Sequence, residues 1–235
     1  MHAPRTGNLY LMAELTLVLG NKNYSSWSLR PWLLMRHLEL ELAERTLTLD
    51  SPEFAREVAD CSPSGRVPVL HHGALTIWDS LAICEYACEL TGRGLPTDAT
   101  ARAIARAVSA EMHAGFATLR ERWPMNARAE KRRVPPTPSL TREIARIETI
   151  WADCRQRFGA GGPWLFGEYS MADAMYAPVV LRFRTYGEHF TPSTHSYMQT
   201  ALADPHLTTW IAAARAEPWI IAAAELGTAQ ATLPG

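Results

Sequence analysis

The chain has 235 residues, 47% hydrophobic and 20% charged, with 23 lysines and arginines against 24 aspartates and glutamates for a formal net charge of −1. Such a composition belongs to a globular protein of one or two domains, and its balance excludes the broad basic field that nucleic-acid binding requires. No apolar run approaches the roughly 18 residues of a membrane span, and Arg5, Asn8 and Glu14 interrupt any leader-like stretch, so a cytoplasmic protein is expected.

In chain order, residues 1–14 read as a disordered lead. Leu15–Gly20 reads as a short buried strand, and residues 28–40 as a helix through Leu29, Trp32, Leu33 and Leu38, with Pro31 in its first turn. A second strand fits 43–49, then a helix opens at Pro52 and breaks at Cys61-Ser62-Pro63-Ser64-Gly65. Residues 67–71 and 75–78 are apolar runs around His72-Gly73-Ala74, which predicts a hairpin, and 79–90 is a helix. Strands joined by helices are parallel neighbours and a tight hairpin is antiparallel, so a mixed sheet with packed helices is expected, in thioredoxin-like order. From Ala99 the pattern becomes helical, through 99–123, 140–158, 171–186 and 205–225. The expected division is therefore a thioredoxin-like domain over 15–92, a linker over 93–98 and an all-helical domain over 99–235. The basic residues Arg128, Lys131, Arg132 and Arg133 read as a solvated loop, and 131–139, with three prolines, as an exposed connection. Four cysteines without paired spacing suggest neither disulfides nor a metal site.

Three segments carry chemistry. Tyr24-Ser25-Ser26-Trp27-Ser28-Leu29-Arg30 stands where the first strand hands over to a helix, and the free N–H groups of a helix start favour an anion such as a thiolate. A redox enzyme would place Cys-x-x-Cys here; Ser25 and Ser28 cannot cycle as a disulfide, so a reactive sulfur must come with the substrate. Val67-Pro68 begins an apolar strand, and a cis bond there would turn the Val67 backbone toward an extended peptide. Asp79-Ser80 opens a helix, where Asp79 is either a simple cap or, with Ser80 and the helix N–H groups, a holder for both charges of an amino acid.

Together these segments resemble the cytosolic glutathione S-transferases, from Leu15 to about Glu225, with the serine turn nearest in motif to the zeta class of maleylacetoacetate isomerases. Ser170-Met171-Ala172-Asp173 adds a capping box of structural character. The resemblance implies that Ser25 hydrogen-bonds the glutathione sulfur, with Ser26 as the nearest substitute and Tyr24 as a competitor. It further implies that Arg66, Val67 and Pro68 hold the cysteinyl-glycyl part and that Asp79 with Ser80 holds the γ-glutamyl end. Trp27, Met112, His113 and Phe116 form the expected electrophile site, Arg30 is expected to pack beneath the turn, and a homodimer is implied. The expected activity is a detoxifying transfer of glutathione to a small electrophile. The alternatives are a glutathione-dependent cis–trans isomerase and a non-catalytic binding module.

Two departures bear on the isomerase. Trp27 stands where zeta isomerases carry Cys, and their substrate arginine would fall at Thr185, with Arg182 and Arg184 adjacent but out of register. Energetically the transferase reading is sufficient. Lowering a thiol from pKa about 8.5 by about two units needs roughly 2.7 kcal/mol. A hydroxyl donor to sulfur supplies about 1.5–3 kcal/mol and a helix end about 0.3–2 kcal/mol.

Overall fold

The computed structural model describes residues 14–229; the expected lead lies almost wholly outside them. β1 (Leu15–Gly20) is buried along nearly its whole length because it is central in a four-stranded sheet of order β2-β1-β3-β4. β2 (Leu42–Leu47) pairs parallel with β1 from Leu15↔Leu42 to Gly20↔Leu47. β3 (Val69–His72) pairs antiparallel with β1, and β4 (Leu75–Trp78) antiparallel with β3 through the turn at Gly73. Helices α1 (Ser26–His37), α2 (Phe54–Ala59) and α3 (Ser80–Thr91) complete the first domain in the expected order.

α1 begins two residues earlier than expected, so Pro31 falls in its interior rather than its first turn. Its ring removes the N–H that would have bonded to the Trp27 carbonyl. α3 ends at Gly92, whose φ of 66° suits a left-handed cap.

The second domain contains α4 (Ala99–Ala114), α5 (Ala117–Arg122), α6 (Pro138–Phe158), α7 (Met171–Tyr186), α8 (Pro192–Leu202) and α9 (Pro205–Ala216). The single helix expected over 99–123 is broken at Gly115 and Phe116, the latter with φ 57°. α8, which has a Pro-started, Thr-capped first turn, has no counterpart in the expected elements. The expected helix over 205–225 stops at Ala216, because Pro218 disfavours a helical Glu217, which is extended at φ −70°, ψ 131°. Nor is the domain purely helical: β5 (Arg132–Arg133) pairs with β6 (Thr228–Ala229).

α7 is the hub of the molecule. Every residue except Arg184 is buried, because α1 packs on one side and α4 on another. The buried face of α4 is Ala101, Ala105, Val108, Ser109 and Met112, a helical repeat that accounts for its docking. The capping box at α7 is present: Asp173 accepts from Ser170 N and Oγ at 2.9 and 2.8 Å, from Leu165 N at 3.1 Å and from Tyr197 Oη at 3.0 Å. On the far side of α1, Trp32 packs on Trp210 of α9 at 5.1 Å, and the Trp210 indole donates to Lys22 O at 2.7 Å. Thus a continuous core joins both domains.

Candidate functional site at the serine turn

The sheet register gathers the three chemical segments at one end. Val18 lies opposite Val69, and Val69 opposite Trp78, so the end of β1, the Val67-Pro68 entry to β3 and the exit from β4 are adjacent. Ligands of open α/β sheets commonly sit at such an end, beyond helix starts. The Val67-Pro68 bond is cis.

At the turn, Ser25 is the N-cap of α1. Its hydroxyl accepts from Ser28 N at 3.3 Å and donates to Ser28 Oγ at 2.7 Å, and Ser28 Oγ in turn accepts from Gly20 N at 3.0 Å. The Ser25 hydroxyl, expected to meet an anion, is therefore turned into the domain. Ser26 differs. At the first position of α1, its Oγ accepts from Arg182 Nη2 of α7 at 3.3 Å, and no described residue accepts its own proton. Tyr24 is held elsewhere: its hydroxyl donates to Glu225 Oε1 at 2.6 Å and accepts from Arg128 Nη2 at 2.7 Å.

At the start of α3, Asp79 caps Leu81 N at 2.9 Å while keeping Oδ2 free for His113, whose Nε2 lies 3.2 Å away. Asp79 adopts φ 75°, a conformation that non-glycine residues hold mainly where the surroundings enforce it. Ser80 is buried, and its Oγ has no hydrogen-bond partner among the described residues. Arg66 projects exposed beside half-buried Val67.

The expected electrophile residues separate. Trp27 and His113 meet edge-to-face at 5.3 Å between the domains. Met112 is fully buried, because it belongs to the face of α4 that docks on the core, and Phe116 is 8% exposed at the α4–α5 break. Neither offers an open wall.

Arg30 was expected only to pack beneath the turn. Arg30 stacks over the Trp27 ring at 4.3 Å, and Arg120 lies 5.5 Å from the same ring. Arg30 is completely buried, and none of its guanidinium nitrogens has a hydrogen-bond partner among the described residues. Burial pulls its pKa down to about 10, with Arg120 adding to the same direction. Burial likewise lowers Arg182 to about 9, assisted by Arg30 and Arg120. The sequence signal was only that Arg30 and Arg182 lie in apolar helices, where a long cation is costly.

A C-terminal strap closes over the loop before Ser25. Glu217 accepts from Lys22 N and Asn23 N at 2.6 and 3.0 Å. Glu225 accepts from Tyr24, Asn126, Arg128 and Arg132, and against the opposing effect of burial the bonds from Tyr24, Arg132 and Arg128 hold its carboxyl down to about 2. Arg128 and Arg132, expected in a solvated loop, are thus ion-paired at 3.0 and 2.5 Å.

Comparison with known proteins agrees with this architecture. Residues 24–90 match the glutathione S-transferase N-terminal domain and residues 137–213 the corresponding C-terminal domain. Maleylacetoacetate isomerase of Rattus norvegicus is 28% identical over 182 residues, covering 75% of this chain and 82% of that protein; the Mus musculus isomerase is 26% identical over 171 residues, covering 71% and 77%. Among solved structures, a glutathione transferase homologue from Burkholderia with bound glutathione aligns at TM-score 0.65 and 23% identity, over 86% of this chain and 98% of that one. Ure2p in complex with glutathione aligns at TM-score 0.62 and 20% identity, over 86% and 94%.

Proposed function

The chain belongs to the glutathione S-transferase family, and from that premise we propose that it binds glutathione at the serine turn, ionises its thiol and directs the thiolate at a small electrophile between the domains. The observation that carries this reading is the convergence, at one end of the sheet, of the start of α1, the cis Val67-Pro68 bond and the start of α3. In this reading the Val67 backbone pairs with the cysteinyl unit and Arg66 reaches the glycyl carboxylate. Asp79 takes the γ-glutamyl ammonium, and the unpartnered Ser80 hydroxyl with the N–H groups of α3 takes its carboxylate. The thiol loses its proton to solvent, and the sulfur keeps the electron pair in the field of the α1 start. The thiolate then forms a bond to an electrophilic carbon held near Trp27 and His113. In a transfer the leaving group departs with its electron pair. The expected setting is a cytoplasmic homodimer acting in detoxification.

A second reading, cis–trans isomerisation, is favoured by the two isomerase relatives and by Arg30 and Arg120 flanking Trp27, a positive setting suited to an acidic substrate. There the thiolate adds to an activated alkene, the former double bond rotates, and the thiolate is expelled again. Thr185, at the position of the zeta arginine, supports no such contact: it is buried and donates to Leu181 O and Ala129 O, both at 2.9 Å.

The test combines calorimetric titration with glutathione and turnover of an aryl halide and of maleylacetoacetate. Conjugation of the halide supports the transferase, and isomerisation without net glutathione consumption supports the second reading. Binding without either leaves a binding module. Absence of glutathione binding overturns the proposal.

A further inference from the structure

We propose that Arg182 is a positioning residue that holds the Ser26 hydroxyl as the hydrogen-bond donor to the glutathione sulfur, an inference that rests on the reading of the groove given above.

The two serines of the turn have different hydrogen-bond obligations. The Ser25 proton is spent within the domain on Ser28 Oγ at 2.7 Å, and its oxygen caps α1. Ser26 Oγ receives Arg182 Nη2 at 3.3 Å. A guanidinium only donates, so the Ser26 proton must point to another acceptor, and the described residues supply none. An incoming sulfur fills that vacancy. A hydroxyl that accepts from a cation is polarised toward giving up its own hydrogen in a bond, which strengthens the contact to an anion.

Arg182 is built to fix this geometry. It is 3% exposed, and its Nε donates to Trp123 O at 2.8 Å and its Nη1 to Pro178 O at 3.2 Å, which leaves Nη2 aimed at Ser26. No carboxylate pairs with it among the described residues. The cations that face it are Arg30 of α1 and Arg120 of α5, while Tyr186 on its own helix is pushed up to about 12 by burial and stays neutral, so negative charge arriving at Ser26 meets an uncompensated positive field. Because α7 belongs to the second domain, the arrangement makes thiol activation depend on how that domain docks on α1.

The full-length protein is titrated with glutathione bound, and the thiolate absorbance gives the pKa of the bound thiol. Ser26→Ala should raise that pKa by about one unit or more and lower kcat about tenfold or more, with glutathione affinity within about twofold. Ser25→Ala should move it less. Arg182→Lys and Arg182→Gln should each raise it, Gln more than Lys, and either change should add little once Ser26 is already Ala. Ser26→Thr, which keeps the hydroxyl, should restore most of the shift. Should the Arg182 variants fail to fold, Ser26→Cys reads the field with Arg182 in place: its own thiol, followed by alkylation rate against pH, should titrate about one unit or more below the ordinary 8.5. The inference is overturned by an unchanged bound-thiol pKa in Ser26→Ala, by equal effects of the Arg182 changes with and without Ser26, or by an ordinary pKa at Ser26→Cys. Failure of the unaltered protein to bind glutathione overturns the groove reading itself, which separates the two outcomes.

Discussion

His113 Nε2 lies 3.2 Å from Asp79 Oδ2, so a side chain of α4 reaches across the domain junction to the acid that opens α3. Burial lowers the His113 pKa, with Asp79 opposing and Arg30 and Arg120 reinforcing. The folded protein therefore favours neutral His113. Its stabilising effect is present above the unfolded value of about 6.5 and is lost as pH falls through the lower folded value. On passing from about pH 7.5 to about pH 5.5, Tm should fall more in the native chain than in His113→Gln, by about 1–2 °C. Protonated His113 also competes with a ligand ammonium for Asp79, so glutathione affinity should weaken on acidification less steeply in His113→Gln. Identical pH profiles would remove His113 from both roles.

Asp173 is the acceptor of four donors at the start of α7. Asp173→Ala removes the cap and leaves buried donors on Leu165 and Tyr197 unpaired, and should cost about 2–4 kcal/mol by denaturant unfolding. Burial raises this carboxyl to about 6, above its unfolded value, despite the donors. Its contribution is thus greatest below the unfolded pKa and declines as pH rises through about 6. Asp173→Asn should lack that slope.

Glu225 ties the C-terminal strap to Tyr24, Asn126, Arg128 and Arg132. Glu225→Gln should open the strap locally, and limited proteolysis within 217–229 should accelerate roughly fivefold, equivalent to about 1 kcal/mol, while the Tm of the core changes little. Because its pKa is lowered to about 2, the clamp persists above the unfolded value of about 4.3 and is lost as pH falls through about 2. Unchanged cleavage in the variant would mean that Glu217 and the β5–β6 pair hold the strap alone.

Arg30 is a buried cation with no acidic or carbonyl hydrogen-bond partner among the described residues. Replacing such a charge with an apolar chain of similar length should stabilise the fold, so Arg30→Met is expected to raise unfolding free energy by about 1–3 kcal/mol. If the positive setting around Trp27 serves an acidic substrate, the same variant should lose isomerisation of that substrate more than conjugation of a neutral aryl halide. A destabilised variant would show that Arg30 has compensating contacts.

Much of this protein was legible along the chain. The hairpin of β3 and β4, the proline at the entry to β3, the capping box at Ser170 and the hub helix Met171–Tyr186 all rest on local rules of periodicity, caps and turns. The serine turn, the Val67-Pro68 bond and Asp79 could also be marked from sequence, because each lies where a strand meets a helix or a turn. The direction of a hydroxyl is not a local property. Ser25 and Ser26 have the same chemistry and adjacent positions, and they part only because Ser28 stands one turn away from the first, while Arg182, 156 residues further on, reaches the second. The same holds for Met112, drawn into the core by α7, and for Glu225, whose four donors come from two distant segments, Tyr24 and the stretch 126–132. Backbone form followed from short-range sterics and hydrophobic spacing; the placement of protons and charges waited on the packing of two domains, since only desolvation and long-range partners fix where a polar group must point.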